Sequence, residues 1–206
     1  MSQFQEDFCS YVDWTRWLFY YQQIQNSVAM KPRRVLEIGP GPGVFSWALR
    51  QIGFEVVTFD NVTGGNADIV GDIRELDHQL SPNSFDLVCC FEVLEHVPFG
   101  EVPGVLWQIS NVTSANALIS VPYAGYTVGA ALWIARYGHR QLNVGYRIPM
   151  FWKKHEFDGN HYWELGKRGH SLSEMSNLLQ REFQILKRVF PHPDLSGVLY
   201  TLAKKG

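Results

Sequence analysis

The sequence predicts an α/β protein built on a doubly wound, mostly parallel sheet of seven strands. Two observations carry this prediction. Short apolar runs alternate with segments of helical periodicity, which favours parallel strands joined by crossover helices. In addition, the glycine-rich turn "GPGPG" directly follows the first apolar run, at the strand end where such a sheet presents its ligand site.

The elements follow in chain order from these periodicities. Residues 1–30 carry Trp14, Trp17, Tyr21 and Ile24 at helical spacing, which predicts an N-terminal helical segment of one or two amphipathic helices. Strands are predicted at 33–38, 54–59, 68–70, 85–91, 117–121, 183–189 and 198–203, and helices at 43–51, 102–109 and 172–181. The chain has no internal repeat or long linker, so residues 1–206 are expected to form a single domain.

The composition limits the classes of function. The chain has 206 residues, of which 46% are hydrophobic and 18% charged, as is typical of a globular protein. A formal net charge of -2 argues against binding to bulk nucleic acid or anionic membrane as the main function. The three cysteines, two of them adjacent in an apolar run, and the lack of an apolar leader favour a reducing compartment and a cytoplasmic location. The longest apolar stretch, 121–135, is too short and interrupted to span a bilayer, so no membrane insertion is expected.

The turn after the first predicted strand offers bare backbone to a ligand. A side chain at Gly39, Gly41 or Gly43 would fill the space through which a ligand approaches the main chain. The two intervening prolines remove N–H donors, so the loop suits a contoured surface better than a phosphate. The dinucleotide pattern G-x-G-x-x-G and the phosphate-binding G-K-[ST] are both absent. Instead, the acid Glu37 stands two residues before a G-x-G-x-G turn.

This turn and the motifs after it resemble those of the class I methyltransferases that depend on S-adenosylmethionine (SAM) and methylate small molecules. The resemblance runs from about Val35 to the end of the sequence. It implies a Rossmann-like methyltransferase fold, a methyltransferase activity and SAM as cofactor, with the glycine loop passing under the methionine part of SAM. The residues that it assigns to cofactor binding are Glu37, Gly39, Pro40, Gly41, Gly43, Asp60, Asn61, Asp72, Ile73, Phe91 and Glu92.

Two acids at predicted strand ends belong to this set. Asp60 ends the second strand, where a carboxylate can accept hydrogen bonds from both ribose hydroxyls, although an aspartate there also suits the turn that follows. Asp72 follows the third strand, and the resemblance implies that it accepts from the adenine amine while Ile73 covers the base. An isolated aspartate at that position is as often a helix N-cap.

The segment "FEVLEHVP" resembles the fourth motif of this superfamily. Glu92, Glu95 and His96 form E-x-x-E-H, a pattern that supplies metal ligands in the ubiquinone-biosynthesis O-methyltransferases and the small-RNA 2′-O-methyltransferases. Many relatives carry "VLEH" without a metal, with the polar residues holding the loop and the cofactor, and we expect no metal here. Carboxylate and imidazole ligands would suit magnesium, manganese or zinc.

Two other activities are disfavoured by missing motifs. The [DNS]-P-P-[YF] signature of methylation at nucleic-acid amines is absent after the fourth strand, and no basic face is evident that would hold a phosphate backbone. The only Y-x-x-x-K, Tyr200 to Lys204, lies within the last seven residues, a poor place for the catalytic dyad of a dehydrogenase.

Residues 122–170, rich in aromatic side chains, are expected to form a lid that carries the substrate specificity. Interleaved cations and histidines could receive an anionic or sugar-like group between aromatic walls. The stretch "HYWELGKRGHS" resembles one near the active-site mouth of relatives in glycan and secondary-metabolite pathways. His161 is the predicted general base or substrate orienter, supported by His96 and His155, and Glu164 is a candidate orienter of His161.

These observations predict SAM-dependent methyl transfer to a small-molecule acceptor, at oxygen rather than nitrogen, with a sugar-like or other polar metabolite as the leading acceptor class. A quinone-type or phenolic acceptor comes second, with the metal alternative at E-x-x-E-H. Aminopropyl transfer from decarboxylated SAM shares the fold, but the acidic pocket expected for a polyamine is not evident. A SAM-binding regulator without catalysis remains open, as does the oligomeric state.

Overall fold

The computed structural model describes residues 13–63, 67–134, 140–191 and 196–205. The first helix, α1, is Trp14–Met30, so the first twelve residues of the predicted N-terminal helical segment lie outside the described part. The elements that follow are β1 (Arg34–Ile38), α2 (Val44–Ile52), β2 (Glu55–Asp60), β3 (Ile69–Val70), β4 (Phe85–Phe91), α3 (Val102–Val112), β5 (Thr113–Pro122), β6 (Gly125–Ile134), β7 (Arg140–Pro149), α4 (Leu172–Glu182), β8 (Phe183–Val189) and β9 (Gly197–Lys204). Short 3₁₀ helices are Ile73–His78, Leu94–His96 and Phe99–Glu101.

Seven of these strands form one sheet in the order β3-β2-β1-β4-β5-β9-β8. The pairs from β3 to β5 are all parallel, whereas β9 is antiparallel to both β5 and β8. Strand β1 pairs with β2 on one side and β4 on the other, so the chain winds outwards in both directions from β1. The predicted doubly wound, mostly parallel sheet of seven strands is therefore confirmed, and its ligand crevice lies beyond the carboxyl ends of β1 and β4.

Helices cover both faces of the sheet, which explains why its strands are almost continuously apolar. One buried cluster joins α1 and α2 to the sheet and contains Tyr20, Val35, Phe45, Leu49, Leu87, Cys89 and Leu118. The other joins α3 and α4 to it and includes Leu36, Val88, Cys90, Leu106, Ile109, Met175 and Leu179. The adjacent thiols of Cys89 and Cys90 thus pack on opposite faces, and both are buried and free.

Strand β5 begins earlier than the predicted 117–121. It starts at Thr113, directly after the last residue of α3, with no loop between them. The Thr113 hydroxyl donates to the Ile109 carbonyl and the Ser114 hydroxyl donates to the Phe85 carbonyl, at 2.6 and 3.0 Å. One bond within the helix end and one to the neighbouring strand thus satisfy the hydroxyls of these two residues, which lie between the predicted helix and strand.

Residues 122–170 contain a β-hairpin that the sequence analysis did not predict. Strands β6 and β7 pair antiparallel in a separate two-stranded sheet, with Tyr126 opposite Ile148 and Val128 opposite Tyr146; residues 135–139 lie outside the described part. The remainder, 150–170, is irregular and is anchored by the indole of Trp163, which is buried and donates to the Val97 carbonyl at 2.9 Å.

No helix in the described part of the chain is both long enough and apolar enough to cross a membrane.

Candidate active site

The glycine loop after β1 adopts a conformation that favours glycine. Gly39, Gly41 and Gly43 have backbone φ values of 70°, 53° and 74°, which residues other than glycine rarely adopt. The Gly39 N–H donates to the Phe59 carbonyl at 2.8 Å and so ties the loop to the end of β2. A Cβ atom at Gly39 would collide with the Cγ2 atom of Val93. The loop therefore needs glycine both for its backbone angles and for its close approach to the segment after β4.

A cleft of about 800 Å³ opens beyond the carboxyl ends of β1 to β4. Nine sequence-predicted residues line it: Gly39, Gly41, Asp60, Asn61, Asp72, Ile73, Phe91, Glu92 and His96. Lining residues that the sequence analysis missed include Val93, Pro98, Arg74, Glu101, Phe157, Asn160 and Tyr162. Five predicted site residues, Glu37, Pro40, Gly43, His155 and His161, do not line the cleft.

The three cofactor residues outside the lining support the loop from behind. Pro40 is buried, and its carbonyl accepts from the Gly43 N–H at 2.9 Å. Gly43 is the N-cap residue of α2. Glu37 is 3% exposed, and its buried Oε2 atom has no hydrogen-bond partner among the described residues. Burial raises the pKa of Glu37 to about 8, despite a hydrogen bond from Ser46 that acts in the opposite direction.

The two strand-end acids lie beside each other because β2 and β3 are neighbours. Asp60 pairs with Val70, and the Asp60 carbonyl accepts from the Gly71 N–H at 2.9 Å. Asp72 is the N-cap of the first 3₁₀ helix and accepts from the Arg74 N–H at 2.9 Å. It therefore caps a helix, which is one of the two roles that the sequence analysis left open. It also faces the cleft, where its contact with adenine stays a prediction.

Arg74 pairs with two acids at the cleft wall. Its guanidinium lies 2.5 Å from Asp72 Oδ2 and 3.1 Å from Glu101 Oε2. Hydrogen bonds from Arg74 lower the pKa of Asp72, so this carboxylate is charged at neutral pH. Arg74 and Glu101 are 27 positions apart, so no sequence motif predicts this ion pair.

Two glutamates follow β4: Glu92 is partly buried at the cleft, and Glu95 is buried. Glu92 has a φ of 55°, and its Oε1 accepts from the Ser120 hydroxyl at 2.7 Å. Burial raises the pKa of Glu92. Glu95 is 1% exposed, and burial together with the neighbouring Glu92 raises its pKa well above the ordinary range. The Oε2 atom of Glu95 has no hydrogen-bond partner among the described residues. This oxygen could therefore accept a hydrogen bond from a ligand or coordinate an ion.

His96 is the predicted catalytic histidine that reaches the cleft. Its Nδ1 lies 3.0 Å from the Asn160 carbonyl, and because a carbonyl only accepts, we assign the proton to Nδ1. In the neutral imidazole with that tautomer, the Nε2 atom carries no proton and can accept one. The ring of His161 packs edge-on against that of His96, with centroids 5.0 Å apart, and burial lowers the pKa of His161. His161 thus lies behind His96 and is neutral at neutral pH.

His155 is placed differently from the expectation that it supports catalysis in the cleft. Its Nε2 donates to the His161 carbonyl at 2.8 Å, and its Nδ1 accepts from the Lys167 ammonium at 3.1 Å. Glu164, the candidate orienter of His161, instead contacts Lys167 at 2.6 Å. With both ring nitrogens engaged and only 8% of the residue exposed, His155 braces the 155–167 segment.

The irregular segment closes one side of the cleft. The rings of Phe157 and Tyr162 lie 4.6 Å apart and both line it, and the Tyr162 N–H donates to the Glu95 carbonyl at 2.8 Å. Asp158, which the sequence analysis did not single out, accepts from the N–H groups of Asn160 and His161, at 2.9 and 2.7 Å. The aspartate thereby fixes the turn that brings Asn160 to His96.

Three side chains in this region could hold a metal ion. Each of Glu95, His96 and His161 offers one ligand atom, and these atoms lie within 4.8 Å of one another. The set shares two members with the E-x-x-E-H motif, while His161 takes the place of Glu92. It meets the requirement of carboxylate and imidazole ligands for magnesium, manganese or zinc.

Comparisons with known proteins agree with this geometry. The family model described as "Methyltransferase domain" matches residues 18–175. The ubiquinone biosynthesis O-methyltransferase of Aliivibrio fischeri (strain MJ11) is 27% identical over 88 residues, which cover 36% of this chain and only 38% of that protein.

Two solved structures share the fold. The magnesium protoporphyrin IX methyltransferase from Synechocystis PCC 6803, crystallised with bound SAM, is 16% identical, with a TM-score of 0.55 over 100% of this chain and 85% of its own. The 1,6-didemethyltoxoflavin-N1-methyltransferase of Burkholderia thailandensis is 18% identical, with a TM-score of 0.55 over 85% of this chain and 72% of its own.

Proposed function

Because the chain belongs to the methyltransferase domain family, we propose that it transfers the methyl group of SAM to an oxygen atom of a small, polar acceptor. The observation that carries the proposal is the convergence of nine sequence-predicted residues on one cleft beyond the parallel strands. That edge of the sheet is where open α/β folds bind their ligands.

The residues present fit SAM. The glycine loop leaves bare backbone at Gly39 and Gly41, where a side chain would occupy the cleft or collide with its wall. Asp60 would accept from the ribose hydroxyls, and Asp72 from the adenine amine, with Ile73 against the base. Glu37 supplies an unpartnered carboxyl oxygen beneath the loop for the cationic methionine part. These groups match a ligand that carries a hydroxylated sugar, a base and an amino acid.

When bound, SAM supplies a methyl group that its sulfonium has already activated for transfer to a nucleophile. The protein then needs to orient the acceptor and to exclude water. Phe157 and Tyr162 give the acceptor an apolar wall, and Asn160 gives it a polar contact at the same side of the cleft. The unprotonated Nε2 of His96 accepts the acceptor's hydroxyl proton, while Nδ1 stays bonded to the Asn160 carbonyl. His161 positions the ring of His96.

The proposal is tested by the formation of S-adenosylhomocysteine (SAH) from SAM with panels of sugars, phenols and amines. We expect turnover with a hydroxyl-bearing polar acceptor and none without acceptor. Turnover with amines alone would contradict oxygen as the target atom. Saturable SAM binding without turnover on any panel would favour a regulator instead.

A second candidate function is metal-assisted O-methylation of a phenol or quinone-type acceptor. It is favoured by the ligand atoms of Glu95, His96 and His161 within 4.8 Å, and by the similarity to a ubiquinone biosynthesis O-methyltransferase. A metal there would bind the acceptor's oxygen and lower the pKa of its hydroxyl. Inactivation by EDTA with recovery on adding magnesium, manganese or zinc supports this candidate, and full activity after extensive chelation rejects it.

A further inference from the structure

We propose that the hairpin of β6 and β7 docks the protein on an anionic lipid surface, with one apolar face of the hairpin against the bilayer interface. The inference is independent of the methyl acceptor and of the metal alternative. It concerns peripheral attachment and requires no segment that crosses the membrane.

The hairpin has one apolar and one polar face. Tyr126, Val128 and Ala130 lie opposite Ile148, Tyr146 and Val144, and because side chains alternate along a strand, all six share one face. On the other face, the Arg147 guanidinium donates to the Thr127 hydroxyl at 2.7 Å. The alternation resembles that of a sheet with one face in water and the other on an apolar layer.

Nothing in the described part of the chain covers the apolar face. Tyr126, Val128, Val144 and Tyr146 are 60%, 66%, 66% and 70% exposed, and Ile148 is 40% exposed. Among the side chains that the structure describes, the cleft lining includes Phe157 and Tyr162 of the irregular segment and no residue of the hairpin, so this part of the hairpin is not placed as a lid over the acceptor. A two-stranded hairpin is marginally stable alone, and a contiguous exposed apolar patch of this kind marks an interaction site.

Aromatic and cationic side chains continue from the end of β7. Phe151 and Trp152 are 66% and 49% exposed, with their rings 5.0 Å apart, and Lys153 and Lys154 follow them on the surface. Tyrosine and tryptophan are the residues that membrane interfaces accommodate best, because one end of the side chain is apolar and the other polar. Lysine beside them adds attraction to anionic headgroups.

The charge distribution favours a lipid surface over a second copy of the chain as the partner of the apolar face. Between Glu101 and Glu156 the sequence holds five of the 18 Lys and Arg residues and none of the 20 Asp and Glu residues. The rest of the chain then holds 13 cations and 20 acids, so the small net charge of -2 conceals a basic middle segment of +5 and an acidic remainder of -7. Two copies joined through this segment would bring its cations near one another, whereas an anionic bilayer complements them. An apolar face of this size also suits acyl chains better than the phosphates of a nucleic acid.

The test is co-sedimentation of the whole chain with vesicles of phosphatidylcholine alone and of phosphatidylcholine mixed with phosphatidylglycerol. We expect binding to the mixed vesicles that weakens as salt is added. The double variant Tyr126→Ser with Tyr146→Ser is expected to lower partitioning by at least about tenfold, because it removes two large apolar side chains from the docking face. Lys153→Gln with Lys154→Gln is expected to lower it roughly 25-fold, the product of about fivefold for each cation.

Matched controls remove the same kinds of side chain elsewhere. Trp47→Ser with Trp107→Ser takes two exposed aromatic rings from α2 and α3, and Arg181→Gln with Lys187→Gln takes two exposed cations from the region of α4 and β8. Both control proteins should bind the mixed vesicles like the wild type. Unchanged SAH affinity and thermal unfolding in the hairpin variants show that they remain folded.

Four results would overturn the proposal. The first is no binding to mixed vesicles at low salt. The second is equal binding to both kinds of vesicle, which would remove the role of the cations. The third is self-association in analytical ultracentrifugation that the tyrosine variant abolishes, without vesicle binding, which would assign the face to a second copy. Stronger binding to single-stranded RNA than to vesicles, lost in the lysine variant, would likewise assign the cations to nucleic acid.

Discussion

Replacing Glu37 with glutamine is expected to stabilise the folded protein in the absence of cofactor, by an amount that grows with pH. The folded state raises the pKa of this carboxyl group from 4.5 to about 8 because it buries the group. Above pH 4.5 the unfolded chain has therefore released a proton that the folded chain still holds. Since unfolding releases that proton, rising pH favours the unfolded state until the folded group also ionises near pH 8.

The size of the effect follows from the pKa difference. Each pH unit between the two pKa values changes the free energy of unfolding by about 1.4 kcal/mol. At pH 7 the wild type is thus less stable by up to about 3 kcal/mol than a protein without the ionisable group. The glutamine amide still buries a polar group, so the measured gain falls below this upper bound.

Urea unfolding of wild type and Glu37→Gln at several pH values between 5 and 8 measures the difference. The difference in the free energy of unfolding between the two proteins should be small at the lowest pH and largest at the highest pH. Glu156→Gln removes an acid from an exposed position and should show no such widening. A gap that stays constant with pH would refute the assigned pKa, and so would a wild type that is more stable than Glu37→Gln throughout. SAH affinity should fall in Glu37→Gln, because the amino group of a bound ligand favours the ionised form of Glu37, and an amide cannot supply that charge.

Variants at three further positions test the site. Gly41→Val puts a β-branched side chain at a φ of 53° in the cleft, so SAH binding should be lost in calorimetry while the circular dichroism spectrum is kept; retained affinity would contradict the cleft. His96→Ala should lower kcat by about 10² to 10⁴ without changing SAH affinity, and His96→Gln should be nearly as slow, whereas full turnover in both would remove His96 from the chemistry. His161→Phe keeps a ring beside His96 but offers no metal ligand, so turnover should stay near that of the wild type; its loss together with inactivation by EDTA would favour the metal-assisted reaction.

The cofactor half of the site was predictable from the sequence because strand ends fix it. The carboxyl ends of neighbouring parallel strands meet at one edge, so an acid that ends β2 and another that follows β3 must lie close together, as Asp60 and Asp72 do. The glycine loop was equally predictable, since its spacing selects a bare turn. Arg74 was missed because its partner Glu101 comes from a distant turn, and nothing in the sequence links the two.

The acceptor half was less predictable because it lies in irregular structure. Which histidine faces the cleft depends on long-range bonds such as the one from the Trp163 indole to the Val97 carbonyl, and these follow no period. The sequence analysis ranked His161 first, whereas His96 lines the cleft and His155 is a buried brace. The hairpin did leave a signal, since Tyr126, Val128 and Ala130 alternate with smaller residues. The density of aromatic residues over 122–170 favoured the interpretation of that whole segment as a lid instead.

Calorimetric titration with SAH tests most directly the claim that SAM binds in the cleft beyond the parallel strands. Saturable binding at one site is expected in the wild type, and Asp60→Ala should weaken it by about ten- to a hundredfold through the loss of hydrogen bonds to a charged group. Glu55→Ala, at the opposite end of the same strand, breaks only an exposed ion pair with Arg34 and should bind like the wild type. Unchanged affinity in Asp60→Ala, or no saturable binding of SAH by the wild type, would contradict the claim.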